Sequence, residues 1–145
     1  YGLRTLSPRD SNYRAVYETW KPPVEKDQAY HQGTTWPWLI GAYVDALVRV
    51  RKEQGWDDGR IQSEVRGVLA PLVEALVSQA EGSLNEVYDG GQPQDAMKGF
   101  SLADPLGLAP LVAKLLRLQN RGGTRSQAWS VAEVMRALRE HGGIR

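Results

Sequence analysis

Residues 30 to 47 read YHQGTTWPWLIGAYVDAL, which sets Tyr30, His31, Trp36 and Trp38 close together ahead of an apolar run. A helix entrance needs a capping hydroxyl or carboxylate, not a group of rings. Tryptophan and tyrosine carry a polar handle beside an apolar face, which suits stacking combined with hydrogen bonding. The cluster therefore reads as a surface made to meet something flat and polar. The bias holds along the chain, which has five Trp and six Tyr against one Phe. A second stretch able to do chemistry is GSLNEVYDGGQPQ, residues 82 to 94, with Glu86 and Asp89. Glu86 falls just beyond an expected helix C-terminus, where a carboxylate gains nothing from the helix dipole. It is either a solvated loop acid or a general base. Asp89 precedes a glycine pair, and Asp-Gly is common turn chemistry.

Other chemistries find no support. His31 could be a ligand, an acid or base, or a satisfied polar residue. The other histidine, His141, is near the C-terminus and there is no cysteine, so no metal site is expected. There is no HExxH, no phosphate-binding glycine loop and no serine in a nucleophile elbow, and no cofactor is expected. Single tryptophans on helical faces, such as Trp36, Trp38 and Trp129, are more often core than site. A net charge of +1 provides no concentrated basic face for nucleic acid or an anionic membrane. No apolar stretch approaches the ~20 residues of a membrane span, and no signal peptide opens the sequence. The lack of cysteine excludes disulfides and thiolate chemistry and allows the expected cytoplasmic location. The first residue is Tyr1, which points to a processed chain or part of a longer one.

The elements that must position these residues are helices. At 145 residues the chain is one domain's worth. Residues 1–33 hold no sustained period and read as mostly loop, with one helical turn near Tyr13 to Tyr17. From Trp36 to about Gln54, Leu39, Tyr43, Ala46 and Val50 form an apolar stripe, with Asp45, Arg49 and Lys52 on the polar side. Asp45 and Arg49, one turn apart, are expected to pair; Thr34 or Thr35 caps and Pro37 occupies the first turn. A second helix over Asp58–Glu81 is capped by Asp57 or Asp58 and buries Ile61, Val65, Leu69, Leu72, Leu76 and Ala80. Pro71 should kink or split it. A third helix runs from Asp104 to Asn120, and a fourth from Gln127 to Glu140 with Ala128, Val131, Met135 and Leu138 on its buried face. No strand-period run appears. The class is all-α.

The motifs have a recognisable company. YHQGTTWPWLIGAYVDALVRV resembles the YHxGTxWPWLIG segment of the amylo-α-1,6-glucosidase family of glycogen debranching enzymes. GSLNEVYDGG is similar to that family's GSxSEIFDG loop, and QAWSVAEVMRAL to its QAWSVAEVLRAL helix. GLRTLSPRD, residues 2–10, resembles the stretch that precedes the first motif. The resemblance implies helical hairpins forming the final portion of an (α/α)6 barrel, so that residues 1–145 are the C-terminal part of a glucosidase domain. It further implies hydrolysis of α-1,6-linked glucose at glycogen branch stubs, by inversion. Glu86 then matches the general base. Tyr30, His31, Gly33, Trp36 and Trp38 match the pocket-lining segment, and Gln127 and Trp129 the last site-facing turn; Tyr88 in the glutamate loop joins them as a substrate contact. The expected partner is a glucan, and the ring cluster becomes the wall of a sugar pocket. The general-acid aspartate belongs to an upstream part absent from this sequence, so the isolated chain is expected to be inactive.

One feature departs from the family pattern, in which a short polar link joins the glutamate loop to QAWS. Here 35 residues separate Gly91 from Gln127, with an expected inserted helix within 95–126. An incomplete barrel leaves helix faces uncovered, so self-association is expected. Two rival readings differ in class. One is another sugar hydrolase on the same barrel, glucoamylase-like or trehalase-like; the other is a truncated, non-catalytic helical module that binds glucan or a partner.

Overall fold

The computed structural model describes residues 1–18, 21–78, 82–91 and 121–144. Its helices are α1 (Pro23–Gln32), α2 (Ile40–Glu53), α3 (Asp58–Ser78) and α4 (Ala128–His141), with a 3-10 turn at Pro37–Leu39 ahead of α2. Four two-residue strands, β1 (Leu3–Arg4), β2 (Thr35–Trp36), β3 (Val87–Tyr88) and β4 (Arg121–Gly122), form a small sheet in that order. The fold is helix-rich, and the sheet corrects the expectation of an all-α chain. Two-residue strands are too short to leave an alternating pattern in sequence. The expected helix over Asp104–Asn120 and Ala80 of the second stripe lie outside the described residues.

The chain forms two compact units. The first comprises Tyr1–Leu3, Trp36–Glu86 and Thr124–Arg145, and the second Arg4–Thr35 and Val87–Gly123. In the first unit α4 packs against both α2 and α3. Their shared core joins Ile40, Val44 and Val48 of α2 to Ile61, Val65, Leu69 and Leu72 of α3, and to Val134, Ala137 and Leu138 of α4. The α3 stripe is as expected at Ile61, Val65, Leu69 and Leu72, whereas at its end Ala75 is buried and Leu76 only partly so. Asp57 caps it by accepting the Arg60 N–H at 2.9 Å, and α3 runs unbroken through Pro71.

The stripes of α2 and α4 are corrected. Tyr43 and Val50 are 40% and 50% exposed, while Val44 and Val48, on the adjoining row, are buried. In α4, Met135 is exposed and Ser130, Val134 and Ala137 are buried. Each helix carries two neighbouring rows with apolar residues, and the partner helix decides which is covered. Gly41 lies at this contact: a Cβ there would meet the end of the Glu133 side chain of α4. The expected caps also differ. Thr34 Oγ1 donates to the Tyr30 carbonyl and Thr35 Oγ1 to the Tyr88 carbonyl, so neither caps α2.

Asp45, expected to face solvent and pair with Arg49, is half-buried and holds Arg136 of α4 instead. Arg136 donates to its two oxygens at 3.2 and 3.0 Å, and also reaches Glu133 and Glu140. His141 Nε2 lies 2.8 Å from Asp45 Oδ1. The Arg136 hydrogen bonds hold the Asp45 carboxyl below its ordinary range, outweighing the opposing effect of burial. A second cross-helix pair joins Arg51 of α2 to Glu64 of α3 at 2.6 and 2.7 Å. The guanidinium groups of Arg51 and Arg60 both lie over the Trp56 ring, 4.4 and 3.4 Å from its centroid.

The second unit contains α1, a helix in what was expected to be loop over residues 1–33. Pro22 and Pro23 read as loop, yet Pro23 sits in the first helical turn, where its missing N–H costs nothing. Only Ala29 of α1 is buried, so no apolar stripe announces it. Tyr13 to Tyr17 is not helical. In the sheet Thr35 is opposite Tyr88, and Val87 and Tyr88 are opposite Gly122 and Arg121.

Two outcomes follow for stability. Leu69→Ala should lower the unfolding free energy by ~2–5 kcal/mol, whereas Val50→Ala, on the half-exposed row, should stay within ~0.5 kcal/mol; urea unfolding measures both. Asp45 has a depressed folded-state pKa, so its contribution is complete above the unfolded carboxyl value of ~3.9 and is lost as pH falls through the lower folded value. Melting temperature should therefore fall less steeply below about pH 4 in Asp45→Asn than in the parent sequence.

Candidate functional site

The Glu86 carboxylate is held at both oxygens. The Thr124 backbone N–H donates to Oε2 at 2.9 Å, and the Gln127 side-chain amide donates to Oε1 at 3.1 Å. The backbone is tied in the same place: Glu86 N–H donates to the Thr124 carbonyl at 3.0 Å and Gln127 N–H to the Leu84 carbonyl at 2.8 Å. Leu84 is fully buried in the helical core, which anchors the segment, while Glu86 itself stays half-buried. The expected glycine-rich loop is thus a packed strand approach, with Ser83, Leu84 and Asn85 all buried. A carboxylate oxygen has two acceptor positions, so each Glu86 oxygen keeps capacity for a water proton.

Local backbone strain accompanies this geometry. Ser126 has φ +56°, the left-handed region that residues with a Cβ seldom adopt. Such a conformation costs on the order of 1–3 kcal/mol and persists where its surroundings fix it. Here it falls between the two residues that donate to Glu86, and just before the first turn of α4.

That turn carries Trp129. Its ring stacks on Trp38 from the 3-10 turn, with centroids 5.6 Å apart and planes inclined by 30°. Trp129 is 50% exposed and Trp38 half-buried, so the pair keeps open aromatic surface. Trp36 is half-buried in the extended β2, with φ −114° and ψ 111°. The expectation that Trp36 and Trp38 lie on one helix is therefore corrected, since a strand and a 3-10 turn separate their directions. Neither is a core residue.

The second unit holds the remaining expected contacts. Tyr30 lies on α1, its ring 5.9 Å from Tyr17 and edge-on to His31 at 5.1 Å. Tyr17, Pro23, Lys26, Asp27 and Tyr30 line an open recess of about 280 Å³. His31 is exposed, with Nε2 3.4 Å from Asp27 Oδ1. Tyr17 was not anticipated, because nothing in sequence links it to Tyr30. Asp89 is buried and its carboxylate accepts the Tyr17 N–H at 2.7 Å, so it also anchors another segment. Gly90 and Gly91 N–H groups both donate to the Ala15 carbonyl.

Two expected substrate contacts, Gly33 and Tyr88, are tightly packed. Gly33 has no room for a side chain, since a Cβ would overlap the Arg14 carbonyl; its N–H donates to Thr5 Oγ1 at 2.9 Å. Tyr88 is only 2% exposed, which leaves its ring no free face. A further group, Asp45, Glu140 and His141, brings potential metal ligands together. Arg136 already occupies the two carboxylates, which makes the cluster an ion-pair network. Among the described residues no helix is long and apolar enough to cross a membrane.

These features are a half-exposed carboxylate held by two donors and an indole pair that joins the 3-10 turn before α2 to the first turn of α4. Such an arrangement suits proton transfer next to a ligand that offers hydroxyls and C–H faces. A family model described as amylo-alpha-1,6-glucosidase matches residues 1–103. Glycogen debranching enzyme from Saccharomyces cerevisiae is 41% identical over 50 residues, covering 32% of this chain and 3% of that enzyme. The chain thus spans a small part of the length of that relative. Gln127 and Trp129 fall beyond the matched family region. No solved structure matches the chain.

The stacked pair yields its own test. Trp129→Ala removes a half-exposed ring and should cost at most about 1 kcal/mol of stability, well under the ~3–5 kcal/mol of a buried Trp. Urea unfolding would report it, and a loss in the buried range would mean that the ring is core.

Proposed function

The chain belongs to the amylo-alpha-1,6-glucosidase family, and from that premise we propose that it forms part of a glycoside hydrolase that removes α-1,6-linked glucose from a branched glucan by inversion. The observation that supports this most is the Glu86 carboxylate, fixed at both oxygens and half-exposed. In this reading Glu86 takes a proton from water as the water oxygen attacks the anomeric carbon. The bond from that carbon to the bridging oxygen breaks, and a general acid protonates the departing oxygen. Inverting enzymes keep the two carboxyl groups roughly 6.5–9.5 Å apart so that water fits between base and sugar.

The acid is assigned to a part of the protein outside this chain. Asp45 is committed to Arg136 and His141, and Asp89 to the Tyr17 N–H. The Trp38–Trp129 pair supplies an apolar face for the C–H patches of a sugar. Trp36, Tyr30 and His31 are proposed as further glucan contacts. The helix-rich fold is proposed to complete an (α/α)6 barrel with upstream segments, and a cytoplasmic location is proposed with it. Exposed apolar side chains such as Val77, 82% exposed, support self-association of the chain by itself.

Two measurements test the reading. In the longest natural reading frame that contains this chain, Glu86→Gln keeps the shape and removes the base. Glucose release from a branched limit dextrin should fall at least ~10²-fold in kcat with little change in KM; near-normal kcat would overturn the assignment. Residues 1–145 alone should release no glucose above background, because a single displacement needs both acid and base. Turnover within about tenfold of the longer protein would mean that the acid lies in this chain.

A further inference from the structure

The Gln127 side chain is spoken for. Resemblance alone would aim it at a sugar hydroxyl, but its Nε2 donates to Glu86 Oε1 at 3.1 Å. From this geometry we infer that Gln127 is a positioning residue: it fixes the orientation of the Glu86 carboxylate and acts on the reaction only through it. The inference rests on Glu86 as the base.

Three observations carry it. The first is that Gln127 does not act alone on that carboxylate. Thr124 N–H takes Oε2, so a backbone donor and a side-chain donor grip opposite oxygens and fix rotation about the last side-chain torsion. That torsion is broad in a free glutamate, so an unheld carboxylate would sample many orientations. The second is that Gln127 is itself fixed. Its own N–H donates to the Leu84 carbonyl at 2.8 Å, and Leu84 is fully buried. The amide therefore projects from a backbone tied to the same segment that carries Glu86. The third is Ser126, whose left-handed backbone lets Thr124 and Gln127, three positions apart, both reach one carboxylate. Extended backbone over that interval would carry the donors away from each other.

The chemical consequence is specific. A general base must meet the water proton within hydrogen-bond reach and along a lone-pair direction. Two donors leave one free acceptor position per oxygen, and they fix where it points. Loss of the amide should let the carboxylate swing about the remaining Thr124 contact. Misplacement of a reacting group by about 1 Å can cost on the order of 10²-fold in rate. Ground-state glucan binding, which does not involve Gln127 in this assignment, should be untouched.

The experiment uses the longest natural reading frame, with branched limit dextrin as substrate, and four variants: Gln127→Leu, Gln127→Met, Glu86→Gln and Glu86→Gln with Gln127→Leu. Gln127→Leu removes the donor, and Gln127→Met removes it in an unbranched, uncharged side chain of similar length should the leucine impair folding. Either should lower kcat roughly 10- to 100-fold with KM within about twofold. Added to Glu86→Gln, the leucine change should lower kcat by no more than about twofold further, because residues acting through one group are not additive. A raised KM with kcat retained would make Gln127 a glucan contact and overturn the inference. So would unchanged kinetics, or a loss that only tracks the folded fraction seen by thermal unfolding, or a loss fully multiplicative with that of Glu86→Gln. Near-normal kcat in Glu86→Gln would remove the base itself, an outcome separate from any result at Gln127.

Discussion

Four hydrogen bonds between residues 84–86 and 124–127 decide what the helical unit can do. Two are backbone bonds, Glu86 to Thr124 and Gln127 to Leu84, and two end on the Glu86 carboxylate. Without this tie the start of α4 would not be fixed against the segment that carries the acid. With it, the helix that completes the core through Val134, Ala137 and Leu138 also delivers Gln127 and Trp129 to one place. Packing and site thus share a support. The apolar face of α4 is the anchor, and its first turn carries the polar and aromatic groups.

Charge organises the rest of that unit. Arg136 reaches Asp45, Glu133 and Glu140, and Arg51 reaches Glu64 in a two-point contact. Planar guanidinium groups suit such geometry, because several fixed donors meet carboxylate oxygens at once. These pairs are partly exposed, so their net contribution to stability is small next to that of the buried core. Their role is registration. Arg136 sets α4 against α2, next to Gly41, where the absence of a side chain admits the Glu133 carboxylate.

In the other unit close backbone approach does comparable work. Gly33 fits against the Arg14 carbonyl and Gly90 against the Gly33 carbonyl, while Asp89 fastens the Tyr17 N–H. The YHQGT and YDGG stretches therefore owe their glycines to packing. The ring pair Tyr17 and Tyr30 beside them lines the recess on α1.

The sequence by itself determined the helical periods of α2, α3 and α4, a cap at Asp57 or Asp58, and Glu86 as the acid worth testing. Those features are local: a 3.6-residue period, a capping carboxylate and a motif of adjacent residues are all written in consecutive positions. It could not determine which of two neighbouring rows on α2 and α4 is buried, since both are apolar and the partner helix makes the choice. It also missed α1, which buries only Ala29 and so has no stripe, and the strands, which are two residues long. The partners of Asp45, Asp89 and Gln127 were decided by tertiary structure alone. Each is a contact between residues 41 to 96 positions apart, and hydrogen-bonding side chains carry no mark of which distant group the folded chain will bring to them.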